Sequence, residues 1–226
     1  MIVTVLGMQH SGTSCLAECL MRAGLSFGTE LRGWTHEDRR ISRLHSIICG
    51  WHEPRLRVTE SAREERDRII VGFGSGSWGW KCPITIFTLP FWQEAIDVRL
   101  VGTFRHPRHV TGYLRSQFSY SAEEADALWC RYNQELLSIH DDTPFPLVAF
   151  DWEPDQYGRA VSSIVEDLGL DSSKPLFDMA KRTFKYLRPF EPSPKAARIY
   201  AMLEHRAFYG GKTGETGESI SAPAET

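Results

Sequence analysis

Three stretches of the chain carry groups that can hold an anion. The first is Gly7-Met8-Gln9-His10-Ser11-Gly12-Thr13-Ser14. It follows an apolar run, Ile2 to Leu6, and precedes Leu16, Leu20 and Ala23, which recur at helical spacing. That pattern predicts a buried strand, a tight loop and an amphipathic helix, with Thr13 or Ser14 as the helix cap. The first amides of a helix lack internal acceptors and carry a partial positive charge. Gly7 and Gly12 let the loop turn those amides toward an oxyanion. The glycine spacing is that of a Walker A loop, but Thr13 stands where that loop has its lysine. The second stretch is Arg105-His106-Pro107-Arg108, after the apolar run Val98 to Phe104. Pro107 suits the first position of a helix, so Arg105 faces a helix N-terminus at a strand's carboxyl end, a second anion site. The third is Lys81, set between Trp80 and Cys82-Pro83, a context rarely found on a solvated surface.

At these residues the chain resembles the sulfotransferases that use 3′-phosphoadenosine 5′-phosphosulfate (PAPS), in particular the bacterial members. The Gly7–Ser14 loop is similar to their 5′-phosphosulfate loop, with His10 where an arginine or lysine is usual. Residues 80–83 are similar to a Lys-Asp-Pro-Arg stretch: Lys81 and Pro83 match, while Cys82 and Ile84 depart. Residues 105–108 resemble the 3′-phosphate motif, with Tyr113 where a serine normally stands and Ser116 one turn later. Leu128 to Asn133 is also similar. The likeness spans roughly residues 1–205 and is sharp at 7–14, 80–83 and 105–108.

Strands alternating with helices predict a doubly wound α/β fold, a parallel sheet with helices on both faces, and the resemblance implies the nucleotide-kinase-like P-loop arrangement. It implies that Gly7, His10, Ser11, Gly12, Thr13 and Ser14 hold the 5′-phosphosulfate. Arg105, with Tyr113, would hold the 3′-phosphate of PAPS and of its product 3′,5′-ADP. Lys81 would contact the transferred sulfonate. Glu37, or else His36, would deprotonate a hydroxyl or amine on a small-molecule or carbohydrate acceptor, and no metal is required. Two rivals remain at this level. One is a P-loop kinase using ATP and magnesium, with Ser14 and Asp151 near the metal, since Leu147 to Asp151 has the form of a Walker B strand. The other is a non-catalytic nucleotide-binding relative.

These residues need elements to place them. Leu25-Ser26-Phe27 reads as a second strand and 28–34 as loop. Thr35 with Asp38 resembles a capping box opening a helix through His36, Glu37 and Asp38, striped by Ile41, Leu44 and Ile48. Residues 60–71 form a solvated helix, and the glycine-rich run 72–79 a lid or loop. Ser121 to Glu124 is a capping box for a long helix. Residues 146–150 form the last strand, and 155–168 a helix ended by Gly169. Helices are expected over 175–185 and 195–207. A single domain over 1–209 and a disordered tail over 210–226 complete the division.

The chain has 226 residues, 42% hydrophobic and 24% charged, enough for a full core. Its net charge of −3 argues against general nucleic-acid binding. No apolar run is long enough to cross a membrane. The N-terminal run lacks a basic leader and is expected to be a core strand rather than a signal peptide. The five cysteines form no Cys-x-x-Cys pair, which fits free thiols in a reducing cytoplasm without structural zinc.

Overall fold

The computed structural model describes residues 1–50, 55–174 and 190–207. The helix expected over 175–185 and the tail expected over 210–226 lie outside the described residues.

In chain order come β1 (Ile2–Leu6), α1 (Thr13–Arg22), β2 (Leu31–Arg32), β3 (Glu37–Asp38), α2 (Arg39–Ile48), α3 (Glu60–Phe73), β4 (Trp78–Lys81) and α4 (Thr85–Gln93). Then follow β5 (Arg99–Phe104), α5 (Pro107–Gln117), α6 (Ala122–Asp142), β6 (Leu147–Ala149), α7 (Pro154–Asp167) and α8 (Pro194–Arg206). Four strands form one parallel sheet in the order β4-β1-β5-β6. Parallel strands need helical crossovers, which cover the sheet on both faces and demand apolar residues throughout. β1 meets that demand. Val3 and Val5 pack with Leu16 and Leu20 of α1 and Val161 of α7. Leu6 packs on the opposite side with Val110 of α5 and Trp129 of α6. The sheet is therefore flanked by helices on both faces.

The first strand lies inside the sheet, with β4 on one side and β5 on the other. The chain thus leaves β1 toward one edge and later crosses back to build the other. Where the order reverses in this way, the loops after the neighbouring strands diverge and open a crevice at their carboxyl ends. All four strands end at that edge: β1 at the Gly7–Gly12 loop, β4 at Lys81, β5 just before Arg105 and β6 two residues before Asp151.

Several local expectations are corrected. Leu25 to Phe27 is not a full strand: Ser26 alone makes a parallel bridge to Trp78. The run 72–79 is not all loop, because β4 begins at Trp78. There the indole stacks on Phe73 at 4.1 Å, and the buried ring of Trp80 lies 5.0 Å from that of Trp92. Helix α1 is not capped by Thr13 or Ser14. Its N-cap is Gly12, at φ 90, with no side-chain cap, so both hydroxyl residues lie inside the first turn. His36, Glu37 and Asp38 do not open α2. Asp38 itself caps it, accepting from the amides of Arg40 and Ile41 at 2.9 and 3.4 Å. Thr35 instead ends a short 3₁₀ turn and donates to the Arg32 carbonyl at 2.7 Å. Glu37 and Asp38 pair antiparallel with Leu31 and Arg32. The long helix α6 carries the expected capping box from Ser121 to Glu124. Among the described residues no helix is long and apolar enough to cross a membrane.

Candidate active site

The loop after β1 is fixed by backbone geometry that only some residues accept. Gly7 has φ 146, and a Cβ there would stand 2.3 Å from the Thr103 carbonyl oxygen; at Gly12 it would stand 2.2 Å from the Phe150 ring. Both positions therefore require glycine. His10 also takes a left-handed conformation, at φ 65. The Ser11 amide donates to the Met8 carbonyl at 3.3 Å, and the Thr103 hydroxyl donates to the Ser11 carbonyl at 3.0 Å. The first intrahelical bond of α1 runs from the Leu16 amide to the Gly12 carbonyl. The amides of Thr13 and Ser14 precede it and have no acceptor within the helix. The Ser11 hydroxyl is buried without a hydrogen-bond partner among the described residues.

Lys81 ends β4 and is 3% exposed. Its Nζ lies 2.8 Å from Glu37 Oε1, a buried contact between residues 44 apart in sequence. The β2–β3 hairpin makes this meeting possible, because it turns Glu37 inward. The second carboxylate oxygen of Glu37 accepts from the Ser42 hydroxyl at 3.5 Å. A buried charge stripped of water is tolerated only when paired, and here each of the two charges neutralises the other. His36, the alternative base, is directed elsewhere: its Nε2 lies 2.9 Å from Glu18 Oε2. Burial lowers the His36 pKa first, the Glu18 charge opposes that, and Lys81 adds to the lowering.

Arg105 follows β5 on the other side of β1. Its Nε donates to Asp151 Oδ1 at 3.1 Å and its Nη1 to the His10 carbonyl at 3.4 Å. The guanidinium also lies 5.2 Å from the centre of the Phe150 ring. The N-terminus of α5 is not left open for a ligand as the spacing suggests. Asp151 Oδ2 accepts from the His106 amide at 2.6 Å, and His106 Nδ1 accepts from the Arg108 amide at 3.1 Å. The Tyr113 ring lies 4.1 Å from that of His10, against the loop after β1. Ser116 is used within its own helix, donating to the Gly112 carbonyl at 2.8 Å.

His10 ties the two cations together electrostatically. Burial, then the charges of Arg105 and of Lys81, push its pKa from 6.5 down to about 4. His10 is therefore neutral at pH 7, whereas an unperturbed histidine would be partly charged near that range. The loop lies between Lys81 and Arg105, each held by a carboxylate. Such an edge can bind a polyanion through amides and side-chain cations, and can pass a proton to a carboxylate beside a lysine.

Sequence reasoning located the cations but not all of their partners. Asp151 was legible as the acidic residue after β6, not as the group that holds Arg105; the strand order puts β6 beside β5 and supplies the missing signal. The contact of the Ser14 hydroxyl with the Thr35 carbonyl, at 3.3 Å, joins α1 to the turn before Glu37. No spacing rule reports it. Two roomy cavities, ≈ 790 Å³ along α7 and ≈ 680 Å³ between α6 and residues 190–195, include neither the loop nor Lys81 nor Arg105. The site is recognised by converging donors, not by volume. Compared with models of known families and with curated proteins, the chain matches none.

Proposed function

We propose that the chain is a sulfotransferase of the P-loop type that moves a sulfonate from PAPS to a hydroxyl or amine of a small-molecule or carbohydrate acceptor. One observation carries this reading: Lys81 and Glu37 meet at 2.8 Å at the carboxyl edge of the sheet, beside a phosphate-type loop that has no lysine of its own. The donor set suits a nucleotide with two separate anionic ends. The first amides of α1, with the buried Ser11 hydroxyl, suit one end, and Arg105, which donates to the His10 carbonyl of the same loop, suits the other.

The chemistry asked of the chain is modest. As the acceptor oxygen or nitrogen bonds to sulfur, Glu37 takes its proton. As the bond from sulfur to the bridging phosphate oxygen breaks, negative charge gathers on that oxygen and Lys81 stabilises it. Lys81 must turn from Glu37 toward the leaving oxygen to do so, and that turn frees the carboxylate to act as base. The kinase reading is weaker. Asp151 is engaged by Arg105 and the His106 amide, and Ser14 by the Thr35 carbonyl. Neither is disposed to hold a magnesium ion between phosphates.

The test is turnover of PAPS with a panel of hydroxyl and amine acceptors, read as sulfonated product by mass spectrometry. Lys81→Ala should lower turnover about 10²–10³-fold with nucleotide affinity kept. Near-normal turnover in that variant would remove Lys81 from the mechanism. Nucleotide binding with no product from any acceptor would leave a binding protein.

A further inference from the structure

Asp151 stands two residues beyond β6 and touches three groups of the β5–α5 junction. Its Oδ1 accepts from Arg105 Nε at 3.1 Å and lies 3.8 Å from His109 Nε2, while Oδ2 accepts from the His106 amide at 2.6 Å. Its side chain is only 16% exposed. The Arg105 guanidinium is thereby held at its Nε, at Nη1 by the His10 carbonyl, and on one face by Phe150. A planar guanidinium recognises phosphate by the fixed direction of its donors, so what holds its plane sets what it accepts. Asp151 also brings a negative charge to the same place, which weakens attraction for any anion that cannot use that direction.

We propose that Asp151 is the positioning residue of this anion subsite, and that it sets the preference for a nucleotide bearing a ribose 3′-phosphate over one lacking it. The proposal rests on the reading of the edge as the nucleotide site of a sulfotransferase. Asp151 acts through Arg105 and does not touch the nucleotide. A purely structural carboxylate would affect all nucleotides alike, so the ratio of two affinities separates the roles.

The experiment measures dissociation constants of 3′,5′-ADP and 5′-ADP by calorimetry on the full chain, for wild type, Asp151→Ala and Asp151→Asn. Wild type should prefer 3′,5′-ADP. Asp151→Ala should lose about tenfold or more of that preference, through weaker 3′,5′-ADP binding with 5′-ADP little changed. Asp151→Asn, which keeps an acceptor for Arg105 Nε, should retain most of it. If Asp151→Ala fails to fold, Asp151→Ser serves in its place. A wild-type preference unchanged in the alanine or serine variant overturns the positioning role and leaves the site reading intact. An equal loss for both nucleotides marks Asp151 as structural and overturns it too. A wild type with no preference overturns the site reading, and the positioning role falls with it.

Discussion

His10 lies in the loop after β1, and its surroundings decide its charge. Burial against Tyr113, with Arg105 and Lys81 nearby, holds its pKa at about 4. Its neutral form is therefore favoured in the free protein at all pH values above that. The sign follows: a folded pKa below the usual 6.5 contributes stability that is full above 6.5 and lost as pH falls toward 4. A bound anion acts the opposite way, because it favours the imidazolium. The affinity ratio for 3′,5′-ADP between wild type and His10→Gln should stay constant above pH 7. It should rise on going to pH 5, because the bound anion raises the imidazole pKa above its free value; a rise of about two units gives about tenfold there. Taking the ratio cancels the titration of the nucleotide itself. A ratio flat down to pH 5 would place His10 away from the anion. At this scale Arg105 was legible because an arginine directly after a strand lies at a sheet's carboxyl edge, and Lys81 because Trp80 and Pro83 beside it make an unsolvated context. Their carboxylate partners were not, since 44 residues separate Lys81 from Glu37 and 46 separate Arg105 from Asp151, and no local pattern spans such distances.

Among the elements, α2 is the one that carries Glu37's support, and it is anchored by a neutral histidine. Its apolar side, Ile41, Leu44 and Ile48, packs against Trp80 and Trp92. His45 shares that side and is wholly buried. Its Nε2 accepts from Trp92 Nε1 at 2.8 Å and lies 3.1 Å from the Thr88 hydroxyl of α4. Accepting at Nε2 assigns the proton to Nδ1, which has no partner among the described residues. Desolvation pushes the His45 pKa down to about 3. Stability from His45 is thus complete above 6.5 and lost as pH falls toward 3. Between pH 6.5 and 4 the loss is on the order of 3 kcal/mol. Urea unfolding at pH 7 and pH 4 should show His45→Gln losing less across that interval than wild type; equal losses would mean that His45 does not titrate on unfolding. Elements with a long period were readable: β1, α1, β5, α5, α6 and α7 all lie where their spacing puts them. The β2–β3 hairpin was not, because two-residue strands have no period to detect. In β4 the alternation of Trp78 and Trp80 was present, but Gly79 and the preceding serines and glycines read as loop.

At the scale of the molecule, strand order creates the site before any side chain is considered. Placing β1 between β4 and β5 brings the glycine loop, Lys81 and Arg105 to one edge of a chain whose net charge is −3. The proposed anion binding would thus be local, built from two cations and a helix start, and not a property of overall charge. The parallel α/β class was legible from alternating strands and helices. The strand order was not, because sequence spacing does not say on which side of β1 each later strand is added. In the proposed sulfotransferase this edge binds a nucleotide by a ribose 3′-phosphate and a 5′ anionic group, without dependence on magnesium. A ligand at a hundred times its dissociation constant stabilises the folded state by about 2.7 kcal/mol. For a chain of this length that raises Tm by roughly 5–10 °C. The decisive measurement is Tm with 3′,5′-ADP in the absence of metal, against 5′-ADP and against ATP with magnesium, for wild type and Arg105→Ala. A rise of that size is expected for 3′,5′-ADP alone, much less for the other two, and no difference between the diphosphates in Arg105→Ala. Strong stabilisation by ATP with magnesium, and none by 3′,5′-ADP, would contradict the sulfotransferase reading.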